Sequence, residues 1–483
     1  MKKSSAKNTY CNPLPIPNIP RGKDNWYKYE HGMFSHENKP NTDKSEDYRS
    51  ISDPTVMFFD NKWYLYPSYG MAFFSEDFLT WKSYKTEPYC PKYSPTIIPW
   101  KNKFLLTAWF CPLYIGDTPL GPFQCLGDFI GLDGKKFAPC DPGLFIDDDG
   151  RIFMYAYDDY KSDNYFGFNT RIIGYELDKD NPVQVVRGPV VIFEMDPFNK
   201  PWERYGRYHQ DLYFGWVEGP HMFKKNGRYY LIYASPATAD CSYANSVYYS
   251  DTSALDNFIC QKRNPLTTSY DSLIRGAGHG SVCEGPNDTL WCFYTIAMPV
   301  LHIYERRIGM DQIFIDENGE LYCKKTTKTP QYSPFYEHDN KVELLNLTAA
   351  MFPVASSYGN DHYPVYMVDE SNLSFWEPSK EDTQPEVEVD LGAEFIISSM
   401  RLWFRDLHLD YKKGLIPKPV PYELYAFSKG VWVKIIDKRN NDVELNINYE
   451  IFDDIKATKV KLVLFTNNIG VTDFSIFGRM EEK

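Results

Sequence analysis

Hydrophobic and polar positions follow one motif that recurs along the first two thirds of the chain. A small or acidic residue, often followed by Pro or Gly, leads into an apolar run, a polar turn and an aromatic run. The copies are DPTVMFFDNKWYLYPSY from Asp53, SPTIIPWKNKFLLTAWF from Ser94, DPGLFIDDDGRIFMYAY from Asp141, EGPHMFKKNGRYYLIYA from Glu218 and GHGSVCEGPNDTLWCFYT from Gly278. Alternating or apolar β-formers on either side of a short Asn, Asp or Gly turn predict a β-hairpin in each copy. The starts lie about 40–75 residues apart, which leaves room for two more strands per unit. With no convincing amphipathic helix between the copies, the pattern predicts an all-β protein whose first part is a five-bladed β-propeller over about residues 30–325. A domain of residues 1–335 is expected, with residues 336–346 as linker.

In a propeller the first strand of each blade lines the central axis. A common repeat phase therefore predicts that Asp53, Ser94, Asp141, Glu218 and His279 gather at one end of that axis. An isolated Asp or Glu before Pro or Gly is often a turn cap. Three carboxylates and a histidine sharing one phase suggest a site instead. Glycoside hydrolysis needs one carboxylic acid to protonate the leaving oxygen and one carboxylate on the opposite face of the sugar. A third, nearby negative charge helps the acid keep its proton. A second Glu-Gly-Pro, at Glu284, falls inside the fifth hairpin, in the turn after the His279 strand, and is set aside. The glycines between Arg275 and Ser281 lack the strand–loop–helix context of a nucleotide loop and predict a tight turn.

Composition narrows the choice. The chain has 483 residues with 43% hydrophobic and 24% charged residues, as in a folded globular protein of two domains. The aromatic share is 17%, with 38 Tyr, 32 Phe and 11 Trp, which favours strands and offers flat faces for sugar rings. Trp109, Tyr66 and Phe73, near strand starts, are candidates for such stacking. Lys and Arg total 52 against 65 Asp and Glu, and the net charge of −13 argues against a nucleic-acid or anionic-membrane surface. The basic start has no apolar run behind it, and no stretch approaches the roughly 20 apolar residues of a membrane span. The ten cysteines show no CxxC or zinc spacing, so reduced thiols in a cytoplasmic protein are expected.

The blocks DPTV after Ile51-Ser52, DPGLFIDDDGR from Asp141, EGPHMFKKNGRYYLIY from Glu218 and GHGSV around His279 resemble, in order, the signature blocks of glycoside hydrolase family 43. The resemblance implies an inverting, mostly exo-acting hydrolase of β-D-xylosides or α-L-arabinofuranosides, acting on oligosaccharides; arabinan-internal or galactan-directed activity is the family alternative. It also implies Asp53 as general base, Asp141 as the carboxylate that raises and orients the acid, and Glu218 as general acid. His279 matches a histidine that in many members helps to hold a hydrated calcium ion in the channel. Arg306 or Arg307 falls where the family often has an arginine near the substrate. Tyr93-Ser94-Pro95 departs from the Trp-Ala-Pro block of many members. A non-catalytic sugar-binding propeller is the rival from another class.

After about Tyr332 cysteines vanish and a second pattern of short alternating strands with Pro, Asn and Gly turns predicts a β-sandwich over residues 347–483. Ala355-Ser356-Ser357, Asp369, Phe375-Trp376 and Val389-Asp390-Leu391-Gly392 resemble a discoidin, or coagulation-factor type C, jelly roll. That implies either a carbohydrate-binding module or a structural partner of the propeller.

Overall fold

The computed structural model describes residues 4–17, 50–68, 71–86, 93–298 except 163, 166, 168 and 271, then 305–335, 341–409 and 415–481. Part of the propeller's expected lead-in (residues 30–49), the linker residues 336–340 and Cys90 therefore lie outside the described residues.

Five four-stranded antiparallel sheets follow one another, each with its strands in chain order. Blade one comprises Thr55–Phe59, Lys62–Tyr66, Met71–Ser75 and Lys82–Lys85. Blade two comprises Thr96–Trp100, Lys103–Thr107, Leu113–Gly116 and Phe123–Gly127. Blade three comprises Cys140–Ile146, Ile152–Tyr160, Asn169–Leu177 and Val185–Glu194. Blade four comprises Glu218–Lys225, Arg228–Ser235, Ala244–Ser250 and Ile259–Cys260. Blade five comprises Gly278–Glu284, Leu290–Ala297, Arg306–Ile315 and Leu321–Cys323. Each motif of the sequence supplies the inner hairpin of one blade, and the whole is a five-bladed β-propeller.

The inner strands hold one another through short side chains. Ser281 accepts from the Val56 amide at 2.9 Å, Thr96 accepts from the Leu144 amide at 3.0 Å, and His221 bonds the Val282 carbonyl at 3.1 Å. Gly143 is required by the same closeness: a Cβ there would stand 2.1 Å from the Pro220 carbonyl oxygen. Blade five meets blade one through the Ile51 amide, which donates to the Arg306 carbonyl at 3.0 Å. Between blades, Val56, Trp63, Leu65 and Phe73 share a core with Trp291, Phe293 and Met310.

The C-terminal part is one seven-stranded antiparallel sheet of a β-sandwich type. Its two longest strands, Glu386–Asp406 and Ile447–Leu464, pair with register shifts after Asp390 and Ile397. Such irregularities bend a long strand, here around a core of Trp376, Val389, Leu391, Leu402, Tyr422 and Leu462. Leu345–Asn346 pairs with Ile469–Arg479, so two residues expected in the linker belong to this sheet.

The two parts share a buried, hydrogen-bonded boundary. Arg401 is fully buried; it pairs with Asp473 at 2.8 Å and donates to the carbonyls of Asn12 and Lys328 at 2.6 Å each. Trp403 and Ile447 of the sheet pack against Leu273 and Met298 of the propeller. Among the described residues, no helix is long and apolar enough to cross a membrane.

Candidate active site

One backbone feature marks the start of all five inner strands. Asp53, Ser94, Asp141, Gly219 and His279 have φ of 50°, 45°, 47°, 57° and 41°. This left-handed region is unfavourable for residues with a Cβ. In blades three, four and five it coincides with a register shift between the first and second strands. A shift of this kind re-aims a side chain out of the normal in-out alternation. In blades one, two, three and five it turns the side chains of Asp53, Ser94, Asp141 and His279 towards one another at the mouth of the channel.

The common phase predicted from the sequence thus needs one correction. Its fourth member is Gly219, and Glu218 stands one residue earlier, in line with Ser52, Tyr93, Cys140 and Gly278. The reason is space, since a Cβ at Gly219 would lie 2.8 Å from the His279 ring. Glu218 approaches the mouth from a different direction than the two aspartates.

Asp53 is buried and heavily bonded. Its Oδ2 accepts from Ser52 Oγ at 2.9 Å and Ser68 Oγ at 2.5 Å. Its Oδ1 lies 3.1 Å from Arg306 Nη1 and 3.6 Å from His279 Nδ1. Burial alone would push this carboxyl up. Arg306, His279 and the two hydroxyls outweigh it and hold the group below the usual carboxylate range, so it is ionised.

Asp141 is the opposite case. Burial, with the negative charges of Glu218 and Asp53, pushes it up to about 7 against the pull of His279 and a hydrogen bond from Ser94. Asp141 and Glu218 thus face each other as a pair of carboxyl groups. Glu218 is only half-buried; its Oε2 accepts from Trp216 Nε1 at 2.8 Å and its Oε1 bonds the Tyr243 hydroxyl at 2.6 Å. Of the pair it is the member that reaches open space.

His279 bonds Ser94 Oγ through Nε2 at 2.9 Å while Nδ1 faces Asp53. Both nitrogens are thus turned to protein groups. Among the described residues, no group of three or more His, Cys, Asp or Glu side chains is placed to hold a metal.

The arginine ambiguity resolves by alternation along one strand. Arg306 points to Asp53 and Thr238 Oγ1, each at 3.1 Å, and its guanidinium lies 5.8 Å from the Tyr93 ring centroid. Arg307 points the other way, to Asn446 of the C-terminal sheet. Arg307 is therefore not a substrate-facing residue. Tyr66 and Phe73, expected to stack on sugar, are fully buried in the cores between blades. Their rings have no free face, because both surfaces of a propeller blade are covered by neighbours. Trp109 remains half-buried, 6.0 Å from Tyr93 and bonded to Tyr157, whose ring in turn lies 5.6 Å from Trp216. Tyr93, Trp109, Tyr157 and Trp216 form an aromatic arc that ends on the Glu218 carboxylate. Glu284 sits at the far end of its strand, paired with Lys225 at 2.7 Å.

Several site residues escaped the sequence reading. Trp216, two residues before Glu218 on an extended segment, had a legible signal in that spacing. Ser68, Thr238 and Tyr243 lie between or after strands, where no periodicity points to them.

A Beta-D-galactofuranosidase of Aspergillus niger is 23% identical over 313 residues, covering 56% of this chain and 81% of that protein. A Xylosidase/arabinosidase 43B of Humicola insolens is 24% identical over 218 residues, covering 42% of this chain and 34% of that protein. A solved thermostable family-43 glycoside hydrolase superposes with a TM-score of 0.50 at 23% identity, over 60% of this chain and 97% of the other. The family model described as Glycosyl hydrolases family 43 matches residues 25–321, more than half of the length, and the chain belongs to that family of glycoside hydrolases.

Proposed function

We propose that the protein releases terminal pentose units, β-D-xylose or α-L-arabinofuranose, from plant-derived oligosaccharides by single displacement with inversion. The observation that carries the reading is the opposed electrostatics of carboxyls at one mouth: Asp53 is held ionised by Arg306, His279 and two hydroxyls, while burial pushes Asp141, which faces Glu218, up to about 7. Groups tuned apart in this way suit a base and an acid.

Asp53 takes a proton from the water that attacks the anomeric carbon. Glu218 gives its proton to the leaving oxygen as the glycosidic bond breaks, and solvent exchange restores both groups. Asp141, buried beside Glu218 with its own carboxyl pushed up to about 7, orients the acid. Arg306 and His279 orient Asp53, and the arc of Tyr93, Trp109, Tyr157 and Trp216 offers the wall on which a sugar ring rests. No step requires a metal-bound intermediate.

Asp53→Asn and Glu218→Gln should each lower turnover by about 10³-fold or more with an unchanged circular dichroism spectrum. Wild-type rates in both variants would remove the mechanism. A second glycone, β-D-galactofuranose, is favoured by the name of the Aspergillus niger relative. A panel of 4-nitrophenyl β-D-xyloside, α-L-arabinofuranoside and β-D-galactofuranoside separates the two. Chromatography of products from arabinan and galactan distinguishes single-sugar release from internal cleavage, and inactivity on every substrate would leave the sugar-binding propeller.

For the C-terminal sheet the reading is a discoidin-type domain with a structural role. Trp376, Val389 and Leu391 of the matching points lie in its core, while Asp369 closes a turn by bonding the Ser371 amide and the Ser374 hydroxyl.

A further inference from the structure

The third strand of blade five carries two adjacent buried arginines with opposite allegiances. Arg306 reaches Asp53 and Arg307 reaches into the C-terminal sheet. The Asn446 side-chain oxygen accepts from Arg307 Nε at 3.0 Å and Nη2 at 2.5 Å, and from Trp403 Nε1 at 3.1 Å. Asn446 is itself clamped to Phe404: its side-chain amide donates to the Phe404 carbonyl at 2.5 Å, and its own carbonyl accepts from the Phe404 amide at 2.8 Å. From Arg307 the chain of contacts continues inward. Arg307 Nη1 donates to the Arg306 carbonyl at 2.8 Å, and the Ile51 amide donates to the same oxygen at 3.0 Å. Ile51 lies two residues before Asp53, and Arg306 Nη1 bonds Asp53 directly.

We infer that Asn446 is a positioning residue for the reaction: through Arg307 it fixes the backbone at Arg306, and thereby the guanidinium that orients Asp53. The inference rests on Asp53 acting as the base. Every member of this relay, Asn446, Trp403, Phe404, Arg307, Arg306, Ile51 and Asp53, is buried and joined to the next by direct contact or chain neighbourhood. Packed, hydrogen-bonded interiors transmit shifts. An error of about 1 Å in a reacting group can cost on the order of 10²-fold in rate. The C-terminal sheet is then a wall of the catalytic scaffold and more than an appended module.

The test is a double-mutant cycle on the full chain with the best aryl glycoside of the panel. Asn446→Leu should lower kcat about tenfold with KM changed less than twofold. Arg306→Lys should lower kcat by about 10²-fold. The double variant should be no slower than Arg306→Lys alone within about twofold, because the two act on the same group. A purely structural role for Asn446 predicts multiplied losses, and multiplied losses overturn the inference. So does unchanged kcat in Asn446→Leu. If that variant fails to fold, Arg307→Lys, which keeps the charge but cannot span both Asn446 and the Arg306 carbonyl, replaces it in the cycle with the same expectation. Activity surviving in Asp53→Asn would sink the mechanistic reading itself. An inactive Asp53→Asn beside a fully active Asn446→Leu would sink this inference alone.

Discussion

Asp53, Ser94, Asp141 and His279 all sit in left-handed backbone, each at a cost of roughly 1–3 kcal/mol that the surrounding blades must over-determine. The same geometry aims their side chains at one mouth, so local strain and function have one origin. The two aspartates then diverge through their neighbours. Asp53 has its folded pKa depressed, so its contribution to stability is present above the ordinary value of 3.8 and is lost as pH falls through the depressed one. Activity should accordingly persist on the acidic side until Asp53 protonates, with the ascending limb of kcat/KM below the usual Asp range. Asp141 behaves with opposite sign. Its pKa is raised from 3.8 to about 7, so its favourable contribution is complete below 3.8 and disappears as pH rises through 7. Asp141→Asn, which cannot ionise, should therefore raise Tm by roughly 2–4 °C at pH 8 and much less at pH 5, while activity is lost. Differential scanning fluorimetry at the two pH values checks this, and an equal change at both would remove the buried-charge explanation.

At the level of strands, the inner hairpins were legible because they are local: period-two apolar runs and Asn, Asp or Gly turns need no distant partner. Legibility failed by one residue at blade four. Matching acid to acid put Glu218 at the common phase, whereas the following Pro54, Pro95, Pro142, Pro220 and Gly280 give the true register and leave Gly219 there. Gly219→Ala should be strongly damaging for two reasons. Its φ of 57° disfavours a Cβ, and that Cβ would press on the His279 ring at 2.8 Å. We expect a stability loss of about 1–2 kcal/mol together with at least a tenfold fall in kcat, read by urea unfolding and steady-state kinetics. The burial of Tyr66 and Phe73 was not legible, because an aromatic near a strand start reads alike whether its face meets sugar or the next blade.

Across the whole molecule, the boundary between propeller and C-terminal sheet is built from buried polar and aromatic contacts. Arg401, fully buried, compensates Asp473 and caps the carbonyls of Asn12 and Lys328. Removing one partner of a buried pair leaves the other charged and unsolvated, at a cost of about 3–5 kcal/mol. Arg401→Met should thus lower Tm by several degrees. Calorimetry of the unaltered protein should show one transition for both parts, and two well-separated transitions would contradict this coupling.

What the sequence by itself determined is whatever short-range physics writes: strand and turn pattern, the repeat of five, and the acids at Asp53, Asp141 and Glu218 with their family likeness. Only the tertiary structure decided which arginine bonds Asp53, which aromatics keep an open face, and that Asn446 in the last third bonds Arg307 beside it. Those outcomes depend on ring closure and on the docking of the second sheet. Burial, field and ionisation at one atom are sums over groups that the chain brings together only after long loops have closed.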